Sequence, residues 1–443
     1  RDLGTHAGNS DILQTLVKAG LRKDYEAQFA QLKSELNSAR ANARYEVIKA
    51  MGKLVQKACF LAPEILEILL RRAYKASGWR VREASASALG ALAKAAPSLA
   101  TLEALLKAAG DSDEGVCEAA AHTLGELAKA DNSLAPEVLE ALLKAVEEDD
   151  PNVRRAAASA LGELVKVAPK FAPEVQNALL KAAGDAEWGI RKATALALGE
   201  LSKAAPNRAP KVLEALLKAA GDADEEVRSA AAEALGELAK AAPSQAPKAL
   251  EALSKAMGDS RNNPYRRARS AAVRALGELA KADPSLAPKA LKTLRKAAGN
   301  SSSSVCSAVT RALGDLAKTA PSLAPKVLPV LLKAVRDSRV NVHLAAVRAL
   351  VKLAKADPSL APKVLKALLK ATGNSNKSVR SAAARALVEL AKASPSLAPK
   401  TLEALLKAAG DDHPSVREAA AEALREVQDI IDRSVVSEEK KQE

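Results

Sequence analysis

Four arginines, Arg274, Arg311, Arg348 and Arg385, recur at a constant interval of 37 residues. Guanidinium groups repeated in this way offer a row of forked donors for phosphate or carboxylate oxygens. A second set varies in type at a fixed place: Asp113-Glu114-Gly115, Asp150-Pro151-Asn152, Glu187-Trp188-Gly189, Asp224-Glu225-Glu226, Ser302-Ser303-Ser304, Arg339-Val340-Asn341, Asn376-Lys377-Ser378 and His413-Pro414-Ser415. These side chains can tell base edges apart, Arg or Lys matching guanine, Asn adenine, and Asp or Glu cytosine. In one unit the segment Ser260–Arg267 is longer by four residues. It carries Arg261, Asn262, Tyr265, Arg266 and Arg267, suited to gripping a phosphate or stacking on a base.

Covalent and metal chemistry find no comparable support. Cys59, Cys117 and Cys306 are scattered and form no CxxC pair, so neither a disulfide scaffold nor a structural zinc site is expected. The four histidines are far apart, and no GxSxG, HExxH or GxxxxGK[ST] motif occurs. An enzyme acting on a base needs an aromatic-flanked carboxylate pocket, whereas Trp79 and Trp188 belong to separate units. No catalytic residue, cofactor, metal or small-molecule substrate is therefore expected.

Charge points to partners. The chain has 67 Lys and Arg against 53 Asp and Glu, a net charge of +14. Residues 101–250 carry 17 basic and 25 acidic residues, and residues 251–400 carry 28 and 8. The first stretch is acidic and the second strongly basic, which favours a phosphate-rich or acidic partner. No apolar run approaches the ~18 residues of a membrane span, and no signal peptide opens the chain. The expectation is an intracellular protein, of cytoplasm or nucleus, with no membrane partner.

The elements that position these residues follow from the same period. Lys107, Lys144, Lys181, Lys218 and Lys255, then Lys296, Lys333, Lys370 and Lys407, step by 37 residues with one step of 41. Leu124, Leu161, Leu198, Leu235, Leu276, Leu313, Leu350, Leu387 and Leu424 keep the same step. A fixed period of this size means a stacked array and not independent domains. Each unit reads as two helices. A Pro such as Pro136, Pro210 or Pro362 opens the first, and a Gly such as Gly184, Gly221 or Gly373 stops it in most units. The second places Val153, Ala156, Ala157, Ala160, Leu161 and Leu164 on one face. A further Pro, such as Pro206, Pro243 or Pro284, ends the unit. Only nine residues are aromatic, so the core is built of Ala, Leu and Val.

The string APEVLEALLKAVEEDDPNVRRAAASALGEL resembles a HEAT repeat, a helix, a loop with Asp, and Val-Arg opening a second helix. Val153-Arg154, Val227-Arg228, Val379-Arg380 and Val416-Arg417 carry the motif. The resemblance implies an all-α, right-handed α-solenoid of about ten helix pairs over residues 43–428, its second helices lining the concave face. Residues 1–42 then form an irregular helical cap and residues 429–443 a polar tail, frayed over Ser434–Glu443. Cys117, Cys306 and His343 stand where the family has Arg, which implies a missing Arg-to-Asp brace at those units. By analogy, near-identical repeats with a few variable residues also resemble the transcription activator-like effectors. Stacked helices advance roughly 10 Å per unit, about the path of one base pair along B-DNA.

The first functional reading is therefore non-enzymatic, modular binding of double-stranded DNA. Asp113, Glu114, Asp150, Glu187, Trp188, Asp224, Glu225, Arg261, Asn262, Ser302, Ser303, Arg339, Asn376, Lys377 and His413 would read bases. Arg266, Arg267, Arg274, Arg311, Arg348, Arg385, Lys296, Lys333 and Lys370 would hold phosphates. The alternative is a protein- or peptide-binding HEAT scaffold, natural or consensus-engineered, that grips an acidic partner.

Overall fold

Proline punctuation sets the element lengths in the computed structural model, which describes residues 22–37, 41–75, 79–95, isolated positions between 104 and 133, and residues 135–257, 266–299 and 302–442. First helices run for 11 residues from an Ala-Pro step, as in Ala135–Ala145, Ala172–Ala182, Ala324–Ala334 and Ala361–Ala371. Pro fits there because a first-turn residue needs no amide partner. Second helices run for 17 residues, as in Pro151–Val167, Trp188–Ala204 and Glu225–Ala241. Each stops at a residue that precedes Pro. Ala168 and Ala205 are pushed out of the helical region to φ −131° and −139°, the conformation that a following Pro imposes. That Pro then opens a three-residue 3-10 turn, such as Pro169–Phe171 or Pro206–Arg208, leading into the next first helix.

The glycines after the first helices act differently from the expectation. Gly184, Gly221 and Gly373 donate to the carbonyls of Lys181, Lys218 and Lys370 at 3.2, 3.0 and 3.3 Å, and none of them is left-handed. Arg336 makes the same bond to Lys333 at 3.1 Å, so the turn does not require glycine.

Contacts divide the chain into two units, Arg1–Ala215 and Leu216–Glu443. In the first, Ala41–Lys57 packs on Trp79–Ala95, and Pro151–Val167 on Trp188–Ala204. In the second, Glu225–Ala241, Arg266–Ala282, Ser303–Thr319, Val340–Ala356, Lys377–Ala393 and Pro414–Gln442 pack successively side by side, and each first helix lies against the second helix of its own repeat. Both units are all-α solenoid stacks of two helical layers. The periodic leucines form the core: Leu161, Leu235, Leu276, Leu313, Leu350 and Leu387 are fully buried. The expected frayed tail is corrected, because Pro414–Gln442 is one helix of 29 residues. No Pro or Gly occurs between Ser415 and Gln442 to stop it. Among the described residues no helix is long and apolar enough to cross a membrane.

Candidate interaction surface

The variable loop residues stand at the N-termini of the second helices, where four backbone amides lack helical acceptors. Asp150 caps Pro151–Val167 by accepting from the Asn152 amide at 2.8 Å. Asp224 accepts from Glu226 and Val227 at 2.8 and 3.4 Å, Asn376 from Ser378 at 2.9 Å, and Asp113 from Val116 at 3.3 Å. Ser302 pairs with Ser304 at 2.9 Å, just ahead of Ser303 in the first turn. His413 Nδ1 lies 3.2 Å from the Ser415 amide, and its Nε2 lies 2.9 Å from Lys377 Nζ. Glu187 holds a cap position without a side-chain bond. Trp188 is 44% exposed with Lys192 over its ring. Arg267 binds Glu226, and its amide donates to Glu225. Glu114, Arg261 and Asn262, the side chain of Arg266, and Cys117 lie outside the described residues.

The next arginine binds loop to loop. Arg154 donates through Nη1 to the carbonyls of Glu148 and Asp149, both at 2.8 Å, and through Nε and Nη2 to Asp185 of the next repeat at 2.9 and 3.3 Å. Arg380 does the same with the carbonyls of Asn374 and Ser375 and with Asp411, at 2.6 and 2.8 Å to the carboxylate. Burial pushes the Asp185 carboxyl up, but the Arg154 guanidinium and the Glu187 amide bring it below its ordinary value. Arg380 and the His413 amide hold Asp411 at about 2.

Where arginine is replaced, the loop is rewired. Asp337 stands 31 residues after Cys306, the spacing that joins Arg154 to Asp185. Asp337 is instead bound by Arg339 of its own loop, at 2.7 and 2.6 Å, and Cys306 Sγ turns to the carbonyl of Ala298 at 3.6 Å. His343 faces Asn374 in the same register. It is 5% exposed, its Nε2 has no partner, and burial lowers its pKa against a hydrogen bond to the Asp337 backbone.

The arginine ladder lies on the second helices, with Arg274, Arg311, Arg348 and Arg385 all exposed. Arg274 Nη2 meets Glu233 at 2.7 Å, and Arg311 Nε donates to its own helix at Ser307 at 3.3 Å. Arg348 and Arg385 have no ion-pair partner among the described residues. One helical turn further on, a row of opposite charges neutralises itself between repeats. Asp315 bridges Lys281 at 3.7 Å and Lys352 at 2.5 Å, and Glu389 bridges Lys355 at 2.5 Å and Lys392 at 3.2 Å. This row was missed in the sequence, although Lys281, Lys318, Lys355 and Lys392 keep the 37-residue step. Lys296, Lys333 and Lys370 are exposed in the last turns of first helices, in the other layer.

The model of HEAT repeats matches residues 91–162 and 328–425, and that of the adaptin N-terminal region matches residues 144–360. No curated protein matches the chain. Among solved structures, importin beta in an ammonium sulfate condition is 16% identical, with 89% of this chain and 56% of that one covered and a TM-score of 0.63. Yeast importin-beta is 15% identical, with 94% and 58% covered and a TM-score of 0.63. The Kap95:Nup1 complex gives 16% identity, 91% and 56% coverage and a TM-score of 0.59. The chain thus spans slightly more than half the length of these proteins. With a 37-residue helix pair, a Val-Arg opening to the second helix, an Arg-to-Asp bond between successive loops and repeat models that match two of its stretches, the chain shares the repeat and the all-α solenoid fold of HEAT-repeat proteins.

Proposed function

We propose that this chain is a non-enzymatic protein-binding scaffold that presents the second-helix surface of its repeats to a partner. The observation that carries this reading is a difference in employment. The loop side chains that a base code would need are engaged locally, as caps at Asp150, Asp224 and Asn376 and as a loop tie at Arg339. Arg348 and Arg385 of the second-helix row, by contrast, are exposed and have no ion-pair partner among the described residues. Capping also accounts for the alphabet on which the DNA reading rested, since Asp, Asn and Ser are the preferred helix-capping residues. One structural neighbour was solved as a complex with Nup1, and protein binding by a solenoid of this fold agrees with that. The acidic stretch at residues 101–250 also fits a protein partner better than a phosphate backbone.

The test is a parallel selection with the full chain immobilised at about 0.15 M salt, one arm a displayed random peptide library and the other a random duplex library. Peptide enrichment is expected, with duplex binding that shows no sequence preference and fades as salt rises. An enriched motif of about ten base pairs without any enriched peptide would restore the DNA reading.

A further inference from the structure

We infer that the second-helix layer of Leu216–Glu443 carries a docking track for an extended acidic segment, a polyproline-II-like strand with a carboxylate at every third residue, held by Arg311, Arg348 and Arg385. The inference rests on the protein-binding reading and specifies the partner's chemistry.

Spacing argues for this occupant. The three arginines occupy one position on the adjacent helices Ser303–Thr319, Val340–Ala356 and Lys377–Ala393, so they are separated by one helix-packing distance each, about 8–10 Å. A polyproline-II strand has three residues per turn and rises about 3.1 Å per residue, which puts residues i, i+3 and i+6 on one side at about 9 Å intervals. A β-strand turns alternate residues to opposite faces at about 3.3 Å each. Its same-side spacings of about 7 or 13 Å miss the ladder.

The surroundings admit a backbone. Ala312, Ala349 and Ala386 follow the three arginines, and Ala308, Ala345 and Ala382 lie one turn before them. Five of these six alanines are buried in the helix packing, and the guanidinium forks of the exposed arginines beside them can each take a carboxylate bidentately.

Charge defines both the sign and the ends of the track. In the neighbouring row Lys281, Lys352 and Lys355 are engaged by Asp315 and Glu389, whereas Arg348 and Arg385 have no ion-pair partner among the described residues. Beyond Arg311 stands Arg274, already bound to Glu233, and beyond Arg385 stands Glu422. An acidic occupant is attracted at three consecutive positions, meets an arginine already engaged by a carboxylate at one end and is repelled by Glu422 at the other. A duplex, with a charge on each strand every ~3.4 Å, would extend past both ends and meet these carboxylates.

The experiment uses the full chain and fluorescein-labelled twelve-residue peptides, read by fluorescence anisotropy at about 0.05 and 0.15 M salt. One peptide repeats Glu-Pro-Ser, and a permuted peptide of identical composition has its Glu residues at alternate positions. The period-three peptide should bind at least tenfold more tightly. The variant R311Q/R348Q/R385Q should weaken it at least tenfold, whereas K296Q/K333Q/K370Q, which removes the same charge from the first-helix layer, should change it less than threefold. Arg348→Glu should prefer a period-three peptide in which one of the two middle Glu residues is replaced by Lys. Equal losses from the two triple variants, equal binding of the permuted peptide, or tighter binding of a 20-base-pair duplex that these peptides cannot displace would overturn the track. If library peptides bind without acidic period-three character and ignore the arginine variants, the track falls and the scaffold reading stands; if no peptide binds at all, both fall.

Discussion

Arg339 Nη2 and Asp337 Oδ2 meet at 2.6 Å within a single loop. In the regular repeat the equivalent carboxylate serves the arginine of the preceding second helix, as Asp185 serves Arg154 at 2.9 Å and Asp411 serves Arg380 at 2.6 Å. Cys306 occupies the position of that arginine, and the loop arginine has taken over the carboxylate. The loop is tied within itself, and the link back to the preceding second helix runs from the Arg339 side chain to Cys306 in place of an Arg-to-Asp pair.

The exchange should be reversible. Cys306→Arg alone gains little while Arg339 occupies Asp337. In the background of Arg339→Ser, which by itself should cost about 1 kcal/mol after allowance for its partial exposure, Cys306→Arg should recover most of that loss. Urea unfolding of the four proteins closes a double-mutant cycle. Strict additivity would show that the two arginine positions do not compete for Asp337.

His343 gives the array a dependence on pH. Burial lowers its folded pKa below the unfolded value of about 6.5, so the unfolded chain takes up a proton that the folded chain refuses. Stability is therefore unaffected well above pH 6.5 and falls as pH drops through that value towards the lower folded one. The urea midpoint should decline between pH 7.5 and about pH 5.5 in the native chain, and distinctly less in His343→Gln. A parallel decline in both would assign the effect to other groups.

The loop caps separate two readings of one residue. Asp224 accepts from the amides of Glu226 and Val227. Asp224→Ala should lose about 0.5–2 kcal/mol, and Asp224→Asn should retain most of the stability because Asn also caps. Circular dichroism during urea titration measures both. A stable Ala variant would remove the capping explanation for this loop.

Much of the fold is legible because burial and backbone limits act on residue type directly. Leu161, Leu235 and Leu313 repeat because one face is always covered, and Pro206 or Pro284 always forces the preceding residue out of the helix. The loop residues resist such reading because one oxygen serves two ends: the carboxylate of Asp150 or amide of Asn376 that would accept from a base edge also accepts from a backbone amide. Residue type does not say which donor is near. The rewiring at Cys306 is hidden for the same reason, since spacing marks the missing arginine but not the side chain that replaces it. Conversely, the exposed ladder from Arg274 to Arg385 is legible as a pattern, because a fixed step on equivalent helices must place its residues at equivalent points.

The spacing of that ladder depends on a close helix approach that can be tested alone. A Cβ built at Gly314 would lie 2.8 Å from Ala349 Cβ and 2.9 Å from its Cα. The second contact is with backbone, so no rotamer change relieves it, and Gly314→Ala should force the Ser303–Thr319 and Val340–Ala356 helices apart at a cost of about 1–3 kcal/mol. Gly277 is the control, since its added Cβ would stand 3.4 Å from Ala312 Cβ, near ordinary contact. Gly277→Ala should be neutral, or more stable by up to about 1 kcal/mol, because glycine inside a helix carries an entropic cost. Ala349→Gly should only partly rescue Gly314→Ala, as the Cα remains in the way. The wedge also widens the step from Arg311 to Arg348, so Gly314→Ala should weaken a period-three acidic peptide while Gly277→Ala leaves its affinity unchanged. Equal urea midpoints for the two alanine variants would mean that the helices yield without strain, and that helix contact does not set the ladder's interval.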